Sequence, residues 1–392
     1  MQRFALLSTL LALVFAPCAA YAQDVPGSSI GGSPSSGYLG SADTVASNVA
    51  APDAALGPDA ERELDSAFSI VRRASLWRDT VTWSRVEVDV RALAAGSHSA
   101  ADTYPALRLL LARLGDHHSF FMRPQSAAAF GGEGAENPRA AVHVQATGVG
   151  YIAIPAYNGG DDLAAESYVR DAYDSLAVAI ANGAGTCRWI VDLRTNTGGN
   201  MWPMLGALRT FVGEDGLGAF VTAGVSGPLW YAGDRVDVSP PAMLASLDSA
   251  NVAVLVGPRT ASYGEAVAIS FIGRARTRTF GLPTAGLSTG NIPVSLPDGA
   301  MLVVTTAVDA DRSGKQYGEG IVPDEVIARA SGDAPGDQVI DPQMQRAQAW
   351  LESRSCAQHP APLHPSYRAE PAAARTAGRA VTDSAERRGR RR

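Results

Sequence analysis

The chain has 392 residues, of which 46% are hydrophobic and 18% charged, enough for a large core and too apolar for wholesale disorder. Its net charge of −6 is uneven: residues 357–392 carry eight Arg against three acids, so the rest of the chain stands at about −11. A net-negative body argues against nucleic acid as the main partner, and the 40 Gly and 24 Pro follow no collagen-like period.

Residues 1–22 read as a cleavable export signal. Arg3 supplies the positive start, Phe4 to Ala16 the apolar run, and Ala20-Tyr21-Ala22 the small-residue cleavage site. Cys18 would be the acylated residue of a lipoprotein, but Pro17 before it fits that signal poorly. No later stretch is apolar enough to span a membrane, so a periplasmic or secreted location is expected. Residues 23–57 are rich in Gly, Ser, Pro and Ala and read as a flexible linker. A helical subdomain is expected over 58–125, with one apolar stripe at Leu64, Phe68, Ile70 and Val71 and another at Tyr104, Leu107, Leu110, Leu111 and Leu114.

From residue 140 to 353 the pattern alternates between strand and helix. GYIAIP is a short strand, Asp161 to Ala181 a helix, and RWIVDLR (188–194) a buried strand. A Gly turn and the helix Trp202–Phe211 follow. VAVLVG (252–257) is a second buried strand, with a helix over Ser262–Ile272. Segments near 276–281, 291–296 and 301–308 suggest a β-meander, and Gln338 to Glu352 a closing helix. This order predicts an α/β fold with a mixed, largely parallel sheet. Residues 354–392 read as a disordered basic tail. After signal removal Cys187 and Cys356 are the remaining cysteines, and their spacing alone does not establish a disulfide.

Two strand-turn-helix junctions could carry chemistry. In DLRTNTGGN, Gly198 and Gly199 would let the backbone approach a ligand, or simply make a tight turn. In GPRTASYGE, Ser262 opens a helix where a developing anion is favoured, although Ser is also an ordinary N-cap. His117 and His118 are adjacent in LGDHHSFF and point to different sides, so they do not suit one metal. Asp309, Asp311, Ser313 and Gly314 match the start of a calcium loop, but its twelfth position is Gly320, with Glu319 one residue early. No metal or cofactor is expected.

Together the segments LGDHHSFF, GVGYIAIP, VDLRTNTGGN, GPRTASYGEA, FGLPTAGLSTGN, LPDGAML and YGEGIVPD resemble, in order, the C-terminal-processing (tail-specific) serine peptidase family in its tricorn-like branch. The resemblance covers about residues 60–330 and implies a crotonase/ClpP-like core. It makes Ser262 the nucleophile, His118 the general base and Glu319 the acid that assists it. The amides of Tyr263 and of Gly198 or Gly199 would form the oxyanion hole. His117 takes a slot where that branch has a small polar residue, and Glu265 is a supporting candidate. Two departures matter: the stretch between His118 and Gly148 is too short for a PDZ domain, and Leu287 fills the slot of a dyad lysine.

The expected function is an exported serine endopeptidase acting on a peptide or protein through an acyl-enzyme. The alternative is a non-catalytic ligand- or peptide-binding protein on the same fold. A His base at its ordinary pKa would lose activity as pH falls through about 6.5. The sequence leaves the substrate and the oligomeric state open.

Overall fold

The computed structural model describes residues 54–130, 137–328 and 341–356; the expected signal, most of the linker and the tail from residue 357 lie outside them. The first helix, α1 (Pro58–Ala74), starts on a proline suited to its first turn, with Asp59 and Glu61 near its positive end and Arg72 and Arg73 in the last turn. Helix α2 (Trp83–Ala94) buries Val86, Val90 and Ala94, a stripe at four-residue spacing. A short 3-10 turn at Ala100–Thr103 leads into α3 (Tyr104–Ala112). Strand β1 (Phe120–Met122) and helix α4 (Pro124–Ala129) follow.

Next come β2 (Ala141–Val144), β3 (Gly150–Ala153), α5 (Asp162–Ala179), β4 (Arg188–Asp192) and α6 (Met201–Val212). A hairpin of β5 (Gly218–Thr222) and β6 (Val225–Trp230) precedes β7 (Asn251–Val256) and α7 (Tyr263–Ile269). The chain continues through β8 (Thr277–Gly281), β9 (Thr289–Ser295), β10 (Met301–Asp311), β11 (Glu325–Val326) and α8 (Pro342–Glu352).

The strands form two sheets. One runs β11-β8-β7-β4-β3-β2 and is parallel except for the antiparallel β2–β3 pair. Its central strands are apolar on both faces. Trp189, Val191, Val252, Val254 and Val256 pack with α5, α6 and α7, while Ile190, Ala253 and Leu255 pack with Ala347, Trp350 and Leu351 of α8. The α/β expectation is borne out.

The other sheet is antiparallel, with β1, β9 and β5 paired to β10 and β6 paired to β5. Leu64, Phe68, Val71, Leu107 and Leu110 of the N-terminal helices share a core with Leu302 and Val304 of β10. The anticipated β-meander needs correcting. Segment 277–281 joins the parallel sheet beside β7, and β9 and β10 alone make the antiparallel hairpin. The Thr-Arg-Thr start of β8 lacks the apolar run by which a parallel strand is recognised.

Cys187 and Cys356 form a disulfide with their Cα atoms 5.5 Å apart. It ties the segment after α8 to the residue before β4, closing a loop 169 residues apart in sequence.

Candidate active site

The parallel sheet delivers both junctions to one place, because β4 and β7 are neighbours running the same way. The side chain of Thr260 anchors the second turn to the first: its Oγ1 donates to the carbonyl of Leu193 at 2.8 Å and accepts from Gly257 N at 3.0 Å. Ala261 N donates to the carbonyl of Asn196 at 3.0 Å. Gly198 and Gly199 have φ of 105° and 104°, which only glycine adopts readily. A Cβ on Gly198 would stand 2.9 Å from the Cβ of Ser262 and 3.2 Å from Tyr263 N. The glycine is what lets this loop close on the serine.

Ser262 sits between β7 and α7 with φ 53° and ψ −129°. Among the described residues three other non-glycine positions have positive φ, namely Ala223, Arg235 and Arg276, and all three are exposed, whereas Ser262 is 6% exposed. Such a backbone costs roughly 1–3 kcal/mol and persists only where surrounding contacts hold it. The main holder is Glu265. Its buried carboxylate accepts from Ser262 N at 3.2 Å, Gly286 N at 3.0 Å, Leu287 N at 2.6 Å and the hydroxyl of Thr284. Burial raises the Glu265 pKa, against the four donors that favour its ionised form. Glu265 therefore fastens the turn of Ser262 to the loop that leads into β9.

His118 lies on the bend between α3 and β1 and is 8% exposed, while His117 is exposed. Asp116 Oδ1 caps the turn, accepting from the amides of His118 and Ser119 at 2.9 and 2.5 Å. Asn291 Nδ2 of β9 donates to the carbonyl of His118 at 2.9 Å, and the ring Nδ1 lies 2.6 Å from Thr289 Oγ1. Burial pushes the imidazole pKa down to about 4, with Asp116 acting weakly in the other direction. The ring is neutral at pH 7. Thr289 N in turn donates to the carbonyl of Leu287, so hydrogen bonds run from the backbone of Ser262 through Glu265, Leu287 and Thr289 to the His118 ring.

A buried serine thus stands on a strained strand-to-helix turn against the Gly198 turn, and a chain of hydrogen bonds joins its backbone to a buried imidazole. The comparisons with known proteins identify the domain that carries these residues. Residues 148–327 match the model of Peptidase family S41. The chain carries a serine-type peptidase domain of family S41.

A curated relative, the "Nisin-resistance protein" of Lactococcus lactis subsp. lactis, is 25% identical over 265 residues, 66% of this chain and 80% of its own. Among solved structures, a lipoprotein from Streptococcus agalactiae superposes with a TM-score of 0.63 at 23% identity, covering 77% of this chain and 99% of that one. A candidate peptidase from Parabacteroides merdae ATCC 43184 gives 0.51 at 15% identity, covering 75% and 97%. These two structures share the fold of the S41 domain.

The S41 match contains Ser262, Gly198, Gly199, Tyr263, Glu265 and Glu319, and His118 lies before it. The sequence-based expectation for Glu319 needs correcting. That side chain is exposed, its amide donates to the carbonyl of Tyr317, and it lines a groove of about 660 Å³ with Arg274, Lys315 and Asp324 that includes neither Ser262 nor His118. The charged group that acts on His118 is Asp116. The two glycines also differ in role, because Gly198 N already donates to Asn196 Oδ1 at 2.9 Å. Lys315 is exposed, with its ammonium 4.9 Å from the centroid of the Tyr317 ring.

Asp311 of the calcium-like segment binds its own turn, accepting from the amides of Ser313 and Lys315 and the hydroxyls of Ser313 and Tyr317. Asp309, two residues earlier on the same strand, is fully buried, and burial, and secondarily the charge of Glu265, raise its pKa well above the usual carboxylate range. Thr289 and the bridging part played by Glu265 were missed in the sequence. The spacing Ser262-x-x-Glu265 of a capping box was a visible signal for the second.

Proposed function

We propose that this chain is an exported serine endopeptidase that cleaves peptide bonds through an acyl-enzyme, with Ser262 as nucleophile and His118 as general base. The observation that carries the reading is the buried, positive-φ Ser262 at the junction of β7 and α7, held against the Gly198 turn. The Oγ attacks the scissile carbonyl while its proton passes to the imidazole, which later returns it to the leaving amine. The amides of Tyr263 and Gly199 are assigned to the tetrahedral oxyanion, because Gly198 N is held by Asn196. Water then attacks the acyl-enzyme with His118 again taking the proton.

Export is supported by the disulfide, a bond that persists in oxidising compartments. The Lactococcus relative is named for nisin resistance, so nisin is the first peptide to test, beside a mixed peptide library. Cleavage-site profiling with Ser262→Ala as control tests the reading. Products formed by the native chain and absent with the variant support it. Identical products from both would refute it, and binding without cleavage by the native chain would favour the non-catalytic alternative.

A further inference from the structure

Which group orients His118 is left open, because Glu319 is exposed and lines a groove that does not include the histidine. The ring has two nitrogens, and a base must present one of them bare. Nδ1 is taken up by Thr289 Oγ1 at 2.6 Å, in a pair where the histidine is 8% and the threonine 4% exposed. We propose that Thr289 is the positioning residue for the base: its hydroxyl oxygen accepts the Nδ1 proton of His118, fixing the tautomer whose bare Nε2 serves Ser262. This inference rests on the reading of Ser262 and His118 as nucleophile and base.

The sequence suits Thr289 to the task. It is β-branched and opens a strand, so its χ1 is restricted. Thr289 pairs with Val308 of β10, and its amide is held by the carbonyl of Leu287. Leu287 N binds the same Glu265 oxygen as Ser262 N, so the position of the threonine is referred back to the nucleophile through one carboxylate.

A hydroxyl differs from a carboxylate in one respect that can be measured. It orients the imidazole but carries no full charge to stabilise the imidazolium. The groups around His118 match that assignment: β9 presents Thr289 and Asn291, and Thr305 of β10 bonds to Ser119, all three neutral. The charged neighbour on its own segment is Asp116, whose oxygens are already engaged by the amides of His118 and Ser119 and the Ser119 hydroxyl. Glu265 is committed to four donors.

The test is the second-order rate at which a fluorophosphonate probe labels the full chain, measured against pH for Thr289→Val, Thr289→Ser, Thr289→Asp and Glu319→Gln, with folding checked by circular dichroism. Thr289→Val should slow labelling on the order of 100-fold, the scale of a misplaced catalytic group. Thr289→Ser should restore most of it. Thr289→Asp should move the acid limb up by about one to three pH units, because an opposite charge at this distance favours the imidazolium. Glu319→Gln should stay within about twofold of the native rate.

A folded Thr289→Val with native rate and native pH profile overturns the proposal, as does a loss at Glu319→Gln that matches it. Ser262→Ala and His118→Ala separate this failure from that of the parent reading. If Ser262→Ala is inert and His118→Ala strongly slowed while Thr289→Val is fully active, only the role of Thr289 falls; if Ser262→Ala still labels, or His118→Ala labels at the native rate, the nucleophile and base assignment falls first.

Discussion

Lowering the pH protonates His118, and the structure sets how far the pH must fall. Its imidazole is 8% exposed, and burial pushes its pKa down to about 4 from the ordinary 6.5. That difference corresponds to about 3 kcal/mol between the two protonation states. If His118 is the base, as proposed, it should stay neutral well below pH 6.5, so the acid limb of kcat/KM or of probe labelling should centre near 4.

For stability, the unfolded chain takes up the proton below about 6.5 and the folded chain only near 4. The unfolded state binds more protons in that window, so stability falls as pH falls through it, by about 3 kcal/mol in all from this one group. Urea denaturation of native and His118→Gln chains at pH 7 and 4.5 should show the variant losing less stability on acidification. A limb at pH 6.5 or above, together with equal acid sensitivity of the two chains, would refute the reasoning from burial.

Ser262→Gly should be more stable than Ser262→Ala by roughly 1 kcal/mol, because glycine accepts φ 53° without strain and both variants lack the hydroxyl; equal melting temperatures would count against a strained turn at Ser262. Cys356→Ser should lower stability by about 2–5 kcal/mol, the usual range for losing a native bridge across a long loop, and calorimetry with and without reductant measures it. Asp309→Asn should gain stability over the native chain as pH rises above about 4. A buried carboxyl with a raised pKa keeps a proton that the unfolded chain releases, which makes folding less favourable as pH rises toward its folded value. Denaturation at pH 4 and 8 reads that difference, and a pH-independent gap would contradict it.

The parallel core was legible because RWIVD and NVAVLV are unbroken apolar runs, as strands buried on both faces must be. The β5–β6 hairpin was not anticipated: five of the six residues of β6 are exposed, so it shows no alternation to read. Ser262, His118 and the two glycines could be picked out because each stands at a strand-turn-helix junction or in a short distinctive segment. Thr289 could not. Its contact with His118 joins residues 171 positions apart, and a threonine opening a strand is ordinary in any sheet. Glu319 was assigned to the histidine because a motif gives a residue's position in the chain but not its contacts; here it is exposed and lines a groove whose lining does not include His118. The disulfide likewise needed the closure of α8 onto the sheet before its two cysteines could be seen to meet.

The central claim is an activated serine at position 262, and labelling of the folded chain at pH 7 by a fluorophosphonate, followed by mass spectrometry of the modified peptide, tests it most directly. The account predicts one phosphonyl group on Ser262, lost in Ser262→Ala and strongly reduced in His118→Ala. An unlabelled native chain, or a label on another serine that persists in Ser262→Ala, would contradict it.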